Sequence, residues 1–139
     1  MKEKSLVLVK PDAFERKLES EIYKAIRLRE LKIVARKKIW LNERMIRSYQ
    51  PVLNEPSEFG EDWKREAIEA MVSGSVEVLV VEGDNALKKT NEIKKKIRSL
   101  YSPGSHYRTR VIFNLIHTTD NLMEFQNNIK VLIPEAMWL

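Results

Sequence analysis

The sequence contains no cysteine and only four glycines among 139 residues. The absence of cysteine excludes a disulfide framework, a thiolate zinc site and a cysteine nucleophile, and it fits a reducing compartment. The apolar run that follows Met1-Lys2-Glu3-Lys4 is too short for a signal sequence or a membrane span. We therefore expect a cytoplasmic protein that has no membrane partner.

Several common functional motifs are also missing. The chain has neither a GxxxxGK[ST] loop nor a GxGxxG turn, so any nucleotide must be held in another way. It has no GxSxG elbow, which argues against a Ser-His-Asp hydrolase. Its two histidines, His106 and His117, lack the spacing and the carboxylate partners of a metal site. The sequence predicts no metal site built from protein ligands.

The composition is that of a folded domain, with 43% hydrophobic and 32% charged residues. We expect residues 1–139 to form a single domain. The net charge of +5 favours anionic partners such as nucleotides, nucleic acids or acidic proteins. The basic residues concentrate within residues 27–38 and 88–110, where their simplest interpretation is a solvated surface.

Apolar periodicity predicts four strands and five intervening helices. The strands are expected over residues 5–10, 32–41, 76–81 and 111–117, and four of the helices over 19–29, 42–49, 62–71 and 120–131. The remaining helix begins near residue 85 and carries an apolar stripe from Ala86 to Ile97. Asn42 is expected to cap the second helix, Asp84 or Asn85 the fourth, and Thr119 or Asp120 the last. This order predicts an α+β protein with a ferredoxin-like, four-stranded antiparallel sheet (βαββαβ) covered by helices.

The segment Asn114-Leu115-Ile116-His117-Thr118-Thr119-Asp120 places a histidine at the end of an apolar run, before a polar turn. A neutral imidazole is a good nitrogen nucleophile near pH 7, which makes His117 a candidate catalytic residue. The structural alternative is a histidine that hydrogen-bonds its own turn. On a regular strand, Asn114 and His117 point to opposite faces. They converge only if Asn114 precedes the strand or lies at a bend.

Lys10 ends the first apolar run, within Lys10-Pro11-Asp12-Ala13, and lysine is unusual at the end of a buried strand. Its functional interpretation is a contact with a phosphate or a ribose hydroxyl. Its structural interpretation is an edge lysine whose amine reaches solvent. Asp12 would orient the lysine or cap the next segment. Lys10 and His117 together predict a site at one edge of the sheet.

Five short motifs follow one another along the chain. They are Lys10-Pro11-Asp12-Ala13, Ser73-Gly74-Ser75, Glu82-Gly83-Asp84-Asn85-Ala86, Pro103-Gly104 and the segment from Asn114 to Asp120. In these motifs and their order, the chain resembles nucleoside diphosphate kinases over roughly residues 4 to 135. The N-x-x-H-x-(S/T)-D signature is fairly specific, and its combination with the other motifs argues against a chance match.

The resemblance implies a ferredoxin-like core and a ping-pong reaction. In that reaction the γ-phosphoryl group of ATP passes to a histidine, here His117, and then to a nucleoside diphosphate. The resemblance also implies that Mg²⁺ is bound mainly through the phosphates of the substrate, without a protein cage. It further implies a homo-oligomer, either a hexamer or a tetramer.

The resemblance assigns nucleotide-binding roles as well. The candidate residues are Lys10, Tyr49, Trp63, Arg108 and Asn114. Trp63 falls near the phenylalanine that stacks on the base in the family, with Phe59 as the alternative. Thr119 and Asp120 are expected to support the histidine. Arg108 is the best match for an arginine after Pro103-Gly104, although strict counting gives Tyr107.

The chain departs from the family at charged positions. The phosphate-binding arginine of the family falls on Asn91, and the glutamate that supports the histidine falls on Asn128. Lys88, Lys94, Lys95 or Arg98 could replace the arginine, but none is at the matching position. The segment over residues 108–114 is shorter than is usual in the family, and the loop over 49–63 is longer. Loss of one charged donor can cost about 10²–10³ in rate.

Two hypotheses follow. The favoured one is a working, divergent nucleoside diphosphate kinase that acts on nucleoside di- and triphosphates, with an efficiency that Asn91 and Asn128 leave open. The alternative is a catalytically weakened, kinase-like protein that binds nucleotide or nucleic acid, although nucleic acid is not the favoured partner. A structural role remains a third reading, in which the basic helix and the tail over residues 136–139 contact a partner.

Overall fold

The computed structural model describes residues 2–57, 59–104, 106 and 108–138. Its strands are β1 (Lys2–Val9), β2 (Lys32–Ile39), β3 (Val76–Asp84) and β4 (Ile116–Thr118). The α-helices are α1 (Pro11–Glu15), α2 (Glu19–Leu28), α3 (Glu43–Tyr49), α4 (Asp62–Val72), α5 (Ala86–Tyr101) and α6 (Leu122–Leu132). The strands form one antiparallel sheet in the order β2-β3-β1-β4.

The sheet is covered by helices on both faces. Strands β1 and β3 lie at its centre, and their buried parts, residues 5–9 and 76–81, are mostly apolar because their side chains meet protein on each side. Helices α2 and α5 pack against Val7, Val9 and Val81 on one face. Helices α3, α4 and α6 pack against Leu6 and Leu8 on the other. The predicted ferredoxin-like arrangement is confirmed, with α2 and α5 as the crossover helices.

The predicted boundaries of the fourth strand were wrong. β4 covers only Ile116–Thr118, whereas Arg108–Ile112 forms a π-helical turn. Ile112 is 1% exposed, and Val111 packs against the buried cluster beneath α4. Ile112 is thus buried and Val111 partly buried without pairing in the sheet, and apolar periodicity alone does not distinguish such burial from that of a strand.

Helices α3 and α6 are each capped by an asparagine, but only the first of these caps was predicted correctly. Asn42 caps α3 as predicted, since its side chain accepts a 2.9 Å hydrogen bond from the backbone nitrogen of Met45. The prediction that Thr119 or Asp120 caps α6 was wrong, because Asn121 takes that position and accepts from the backbone one turn later. An asparagine side chain at this position suits the exposed first-turn N–H groups equally well.

Helix α5 begins without a side-chain cap from its own segment. Asn85 occupies the cap position with φ of 55°, but its side chain makes no capping hydrogen bond. Instead, Oε1 of Glu3 on β1 accepts a 2.8 Å hydrogen bond from the backbone nitrogen of Leu87. A carboxylate at this helix end also suits the helix dipole. Within the described residues, no helix is both long and apolar enough to cross a membrane.

Candidate functional site

A cavity of about 350 Å³ lies where the end of β1 meets β4, α5 and the turn over residues 108–112. His117, Lys10, Asn114 and Trp63, all predicted site residues, line this cavity. Lys94, Arg98 and Arg110 also line it. Its size is within the range of small-molecule sites, and its wall combines cations with a histidine. We refer to it as the histidine cavity.

Asn128 on α6 orients the ring of His117. Its Oδ1 lies 2.8 Å from Nε2 of His117, and its Nδ2 donates a 3.5 Å hydrogen bond to the carbonyl of Tyr49. Because an amide oxygen only accepts hydrogen bonds, Nε2 carries the ring hydrogen and Nδ1 keeps the lone pair. A neutral asparagine therefore fixes the tautomer in which Nδ1 carries the lone pair.

The surroundings of His117 keep it neutral. Burial lowers its pKa to about 4, and the hydrogen bond to Asn128 opposes this shift. The nearby positive charges of Lys94, Lys10 and Arg98 lower the pKa further. The ring of Tyr49 lies 5.2 Å from the imidazole, centroid to centroid, and adds to its desolvation. At neutral pH the imidazole is therefore unprotonated at Nδ1 and available to attack.

Lys10 and Asn114 are joined directly. Nζ of Lys10 donates to Oδ1 of Asn114 at 2.6 Å and to the carbonyl of Ile112 at 2.9 Å. Nδ2 of Asn114 donates to the carbonyls of Arg110 and Val111 at 3.2 and 3.3 Å. Asn114 thus holds the turn over residues 108–112 beside Lys10, and Lys10 keeps one further N–H for a ligand.

Lys10 remains charged at neutral pH. Burial lowers its pKa to about 8, the charge of Asp12 opposes the shift, and the charge of Arg98 adds to it. With a pKa near 8 the amine is still mostly protonated at pH 7. It therefore contributes a positive charge to a cavity in which it is only 6% exposed.

The backbone between Asn114 and β4 is strained, and Asp12 supports it. Leu115 has φ of 71° in a fully buried position, which is unusual for a residue with a branched side chain. Oδ2 of Asp12 accepts a 3.1 Å hydrogen bond from the backbone nitrogen of Leu115. This bend brings Asn114 and His117 to one cavity, which a regular strand would not do. Asn114 therefore precedes the strand, as their convergence requires.

The cationic side chains of the cavity differ in whether they already bind other protein groups. Arg98 donates to the carbonyl of Ile116 at 2.6 Å, and Nζ of Lys94 lies 3.0 Å from Oδ1 of Asp120. Arg110 lines the cavity, and its guanidinium has no hydrogen bond or ion pair among the described residues. Sequence reasoning considered Lys94 and Arg98 only as replacements. Their spacing of four residues on α5 was the signal that both face one side.

The predicted arginine, Arg108, is not brought to the cavity. Its NH1 lies 2.8 Å from Oε2 of Glu66 on α4, and its guanidinium stacks over the ring of Phe113 at 5.5 Å. Tyr107, the position given by strict counting, lies outside the described residues. The π-helical turn separates two arginines that are close in sequence, so that Arg110 rather than Arg108 faces the histidine.

The aromatic candidates differ in exposure. Trp63 lines the cavity but is only 7% exposed, and its Nε1 has no hydrogen-bond partner among the described residues. Phe59 is 41% exposed and meets Trp63 edge-on at 6.2 Å. Tyr49 is buried on the other side of His117, beside a second cavity of about 590 Å³. Burial raises the pKa of Tyr49, so its hydroxyl stays protonated.

Thr119 supports the sheet rather than the histidine. Its Oγ1 accepts a 3.1 Å hydrogen bond from the backbone nitrogen of Leu6 and lies 3.0 Å from Oγ of Ser5. Thr118, which sequence reasoning did not single out, lines the cavity with a buried hydroxyl that has no partner among the described residues. Asn91 does not line the cavity. Its position is therefore not a site for a replacement contact.

No metal cage is present in the part of the chain that the structure describes, since no group of three or more His, Asp or Glu residues is placed to hold an ion. Asp120 and Glu124 are the carboxylates that line the histidine cavity. Such a wall suits a hard cation that arrives with phosphate oxygens as its main ligands.

Comparisons with known proteins agree with this architecture. A family model described as nucleoside diphosphate kinase matches residues 3–137. The chain is 37% identical over 91 residues to a nucleoside diphosphate kinase from Agrobacterium fabrum, an alignment that covers 66% of this chain and only 61% of that protein. It is 30% identical over 139 residues to the Methanocaldococcus jannaschii enzyme, covering 97% and 96% of the two chains.

The fold comparison extends the same result. The solved structure of an NDP kinase from Pyrobaculum aerophilum matches with a TM-score of 0.74 at 25% identity, over 96% of each chain. The sheet order, the histidine on β4 and the lysine at the end of β1 thus occur within a fold shared over nearly the full length. The chain belongs to the nucleoside diphosphate kinase family.

Proposed function

We propose that the protein is a nucleoside diphosphate kinase that transfers the γ-phosphoryl group of ATP to nucleoside diphosphates through a phosphohistidine at His117. The observation that carries this proposal is the neutral imidazole, held through Nε2 by Asn128 inside a cavity lined by four cations. Phosphoryl transfer needs mainly an aligned nucleophile and positive charge around the moving group. Family membership supports the same chemistry.

In the first half-reaction, Nδ1 of His117 attacks the γ-phosphorus. The Nδ1–P bond forms while the bond from phosphorus to the bridging oxygen breaks, and its electron pair leaves with the nucleoside diphosphate. In the second half-reaction, a terminal phosphate oxygen of the acceptor diphosphate takes the phosphoryl group from Nδ1. The hydrogen on Nε2 stays on the ring throughout, held by Asn128 at 2.8 Å.

The nucleotide-binding roles follow from the positions of the cations. Lys10 offers its remaining N–H to a phosphate or a ribose hydroxyl, while Asn114 positions Lys10. Arg110 takes the role that sequence reasoning gave to Arg108, because it faces the cavity without another partner among the described residues. Trp63 and Phe59 form the apolar side against which a base would rest.

Magnesium fits this cavity in one way. It would arrive bound to the phosphates, with the carboxylate of Asp120, which pairs with Lys94, at the cavity wall beside it. When bound, the ion neutralises part of the phosphate charge. The protein residues bind the remaining phosphate oxygens and exclude water. A cytoplasmic location suits nucleotide substrates and is part of the proposal.

Assembly into a homo-oligomer, a tetramer or a hexamer, is part of the proposal. Strand β2 lies at an edge of the sheet, and Trp40 just after it is 67% exposed. Trp138 is 91% exposed near the end of the chain. An open strand edge and exposed large apolar side chains favour association. Light scattering after size exclusion would measure the subunit number.

The test of function is a labelling experiment. Purified protein is incubated with γ-labelled ATP and Mg²⁺, and the label on protein is followed before and after addition of GDP. We expect an acid-labile, base-stable label that GDP discharges, that His117→Ala abolishes and that His106→Ala retains. His106 is the matched control because it is the only other histidine in the chain. Retention of the label in His117→Ala would overturn the mechanism.

The competing hypothesis is a binding protein without turnover. It predicts measurable nucleotide binding, or salt-sensitive binding of single-stranded nucleic acid, with no label on His117. Two observations favour the kinase hypothesis instead. Asn128 retains the hydrogen bond to His117, and the guanidinium of Arg110 has no other partner among the described residues.

A further inference from the structure

The proposed reaction creates a charge that Asn128 cannot balance. When Nδ1 of His117 bonds to phosphorus and Nε2 keeps its hydrogen, the ring becomes positively charged. The side chain of Asn128 is neutral, so it accepts the hydrogen bond from Nε2 without supplying negative charge. Lys94, Lys10 and Arg98 already disfavour positive charge on this ring. A carboxylate near Nε2 would oppose them.

Such a carboxylate lies one helical turn before Asn128. Oε1 of Glu124 is 3.8 Å from Nε2 of His117. Residues 124 and 128 are separated by four positions on α6 and therefore share one face of the helix. The Glu124 side chain is 31% exposed and lines the histidine cavity. It is thus close enough to act on the ring and open enough to lose its proton.

The other carboxylate at the cavity is already engaged. Asp120 forms an ion pair with Lys94 at 3.0 Å. Among the carboxylates of the described residues, Glu124 alone lies within salt-bridge distance of a nitrogen of His117. The charged groups that line the cavity around the imidazole come from every neighbouring element. They are Lys10 after β1, Lys94 and Arg98 on α5, Arg110 on the turn over residues 108–112, Asp120 after β4, and Glu124 on α6.

We propose that Glu124 is a positioning residue that acts through His117, supplying the negative charge that the neutral Asn128 does not. The hydrogen bond and the charge, which one carboxylate at position 128 would provide together, are here divided between two residues one turn apart. This inference rests on the proposed function, since it concerns the ring that carries the phosphoryl group. It assigns Glu124 no contact with the nucleotide.

The first test compares Glu124→Gln with the matched control Glu135→Gln. Glu135 is an exposed glutamate that pairs with Lys37 at 2.7 Å, outside the cavity. Single-turnover phosphorylation of His117 by ATP is measured from pH 5 to 8.5. We expect Glu124→Gln to slow phosphorylation about tenfold at pH 7.5, and Glu135→Gln to leave it unchanged. An unchanged rate in Glu124→Gln would overturn the proposal.

The pH profile separates a charge effect from a structural one. Burial, together with the charge of Asp120, raises the pKa of Glu124, whereas the pKa of His117 is lowered to about 4. As pH falls, the wild-type rate should therefore drop when Glu124 takes up its proton, while His117 is still neutral. Glu124→Gln should lose this acid limb and stay level. A slower variant that keeps the acid limb would mean a structural role only and would refute the proposal.

A second measurement does not depend on ATP. Phosphoramidate phosphorylates histidine chemically, and the ring pKa of phosphorylated His117 can be followed by NMR in wild type and Glu124→Gln. We expect the ring pKa to be lower in the variant by about half a unit or more, because a nearby carboxylate stabilises the charged ring. Equal values would overturn the role of Glu124. If ATP fails to label the wild type, the kinase proposal fails, yet this comparison still decides about Glu124.

Discussion

Replacing His117 by asparagine should reduce the pH sensitivity of folding. An unfolded histidine takes up its proton near pH 6.5, but burial lowers the pKa of folded His117 to about 4. Falling pH therefore favours the unfolded chain between about pH 6.5 and pH 4. Above pH 6.5 the His117 contribution to the free energy of unfolding is fully present. At pH 5 this linkage should cost the wild type about 2 kcal/mol relative to pH 7, equivalent to about 7 °C in Tm for a chain of this length.

Urea unfolding at pH 7 and pH 5 measures this cost. The loss of stability between the two pH values should be about 2 kcal/mol smaller in His117→Asn than in the wild type. The difference isolates His117, because other groups titrate in both proteins. His106→Asn serves as the control for removing a histidine while keeping His117. Equal pH dependence in wild type and His117→Asn would refute the burial and charge environment described for this ring.

Three further changes test the remaining contacts. Arg110→Ala should lower kcat/KM about 30- to 100-fold in a coupled assay. Arg108→Ala, which breaks the ion pair with Glu66, should change kcat/KM less than twofold. Equal losses in the two variants would contradict the assignment of Arg110. Trp63→Phe removes a buried N–H that has no partner among the described residues and should raise KM about three- to tenfold with kcat kept, whereas an unchanged KM would exclude a contact with substrate. Thr119→Val should lower the free energy of unfolding by about 1–3 kcal/mol, measured in urea, with kcat of the folded enzyme retained.

The fold was largely readable from the sequence because its central strands are buried on both faces. Leu6 to Val9 is an uninterrupted apolar segment, and Val76 to Val81 is interrupted only by Glu77, a pattern typical of such positions. The error at residues 111–115 has a physical cause. Ile112 is buried and Val111 is partly buried, both without sheet pairing, so burial produced an apolar run where there is no strand. Short helices such as α1 gave no periodic signal.

The sequence predicted site residues only where a chemically reactive or charged side chain ends an apolar strand. Lys10 and His117 follow from that rule, and both line the cavity. The family motifs were less selective, since Gly83 marks a close approach rather than a contact with ligand. A Cβ at Gly83 would lie 2.8 Å from the Leu31 side chain and 3.1 Å from the carbonyl of Glu30. The choice of Arg110 over Arg108 depends on the π-helical turn, which no local pattern predicts.

The departures from the family have a consistent electrostatic logic. The family positions occupied by Asn91 and Asn128 would carry one positive and one negative charge. This chain lacks both, yet its cavity contains an uncommitted Arg110 and a Glu124 that lies 3.8 Å from the histidine. In our proposal one charge of each sign is thus restored at a neighbouring position, so that the two asparagines leave the net charge of the cavity unchanged. Because charges in one cavity interact, we expect the double variant Arg110→Ala/Glu124→Gln to lose a factor in kcat/KM that differs from the product of the single losses. A purely multiplicative loss would mean that the two residues act independently and that their joint presence is not a compensation.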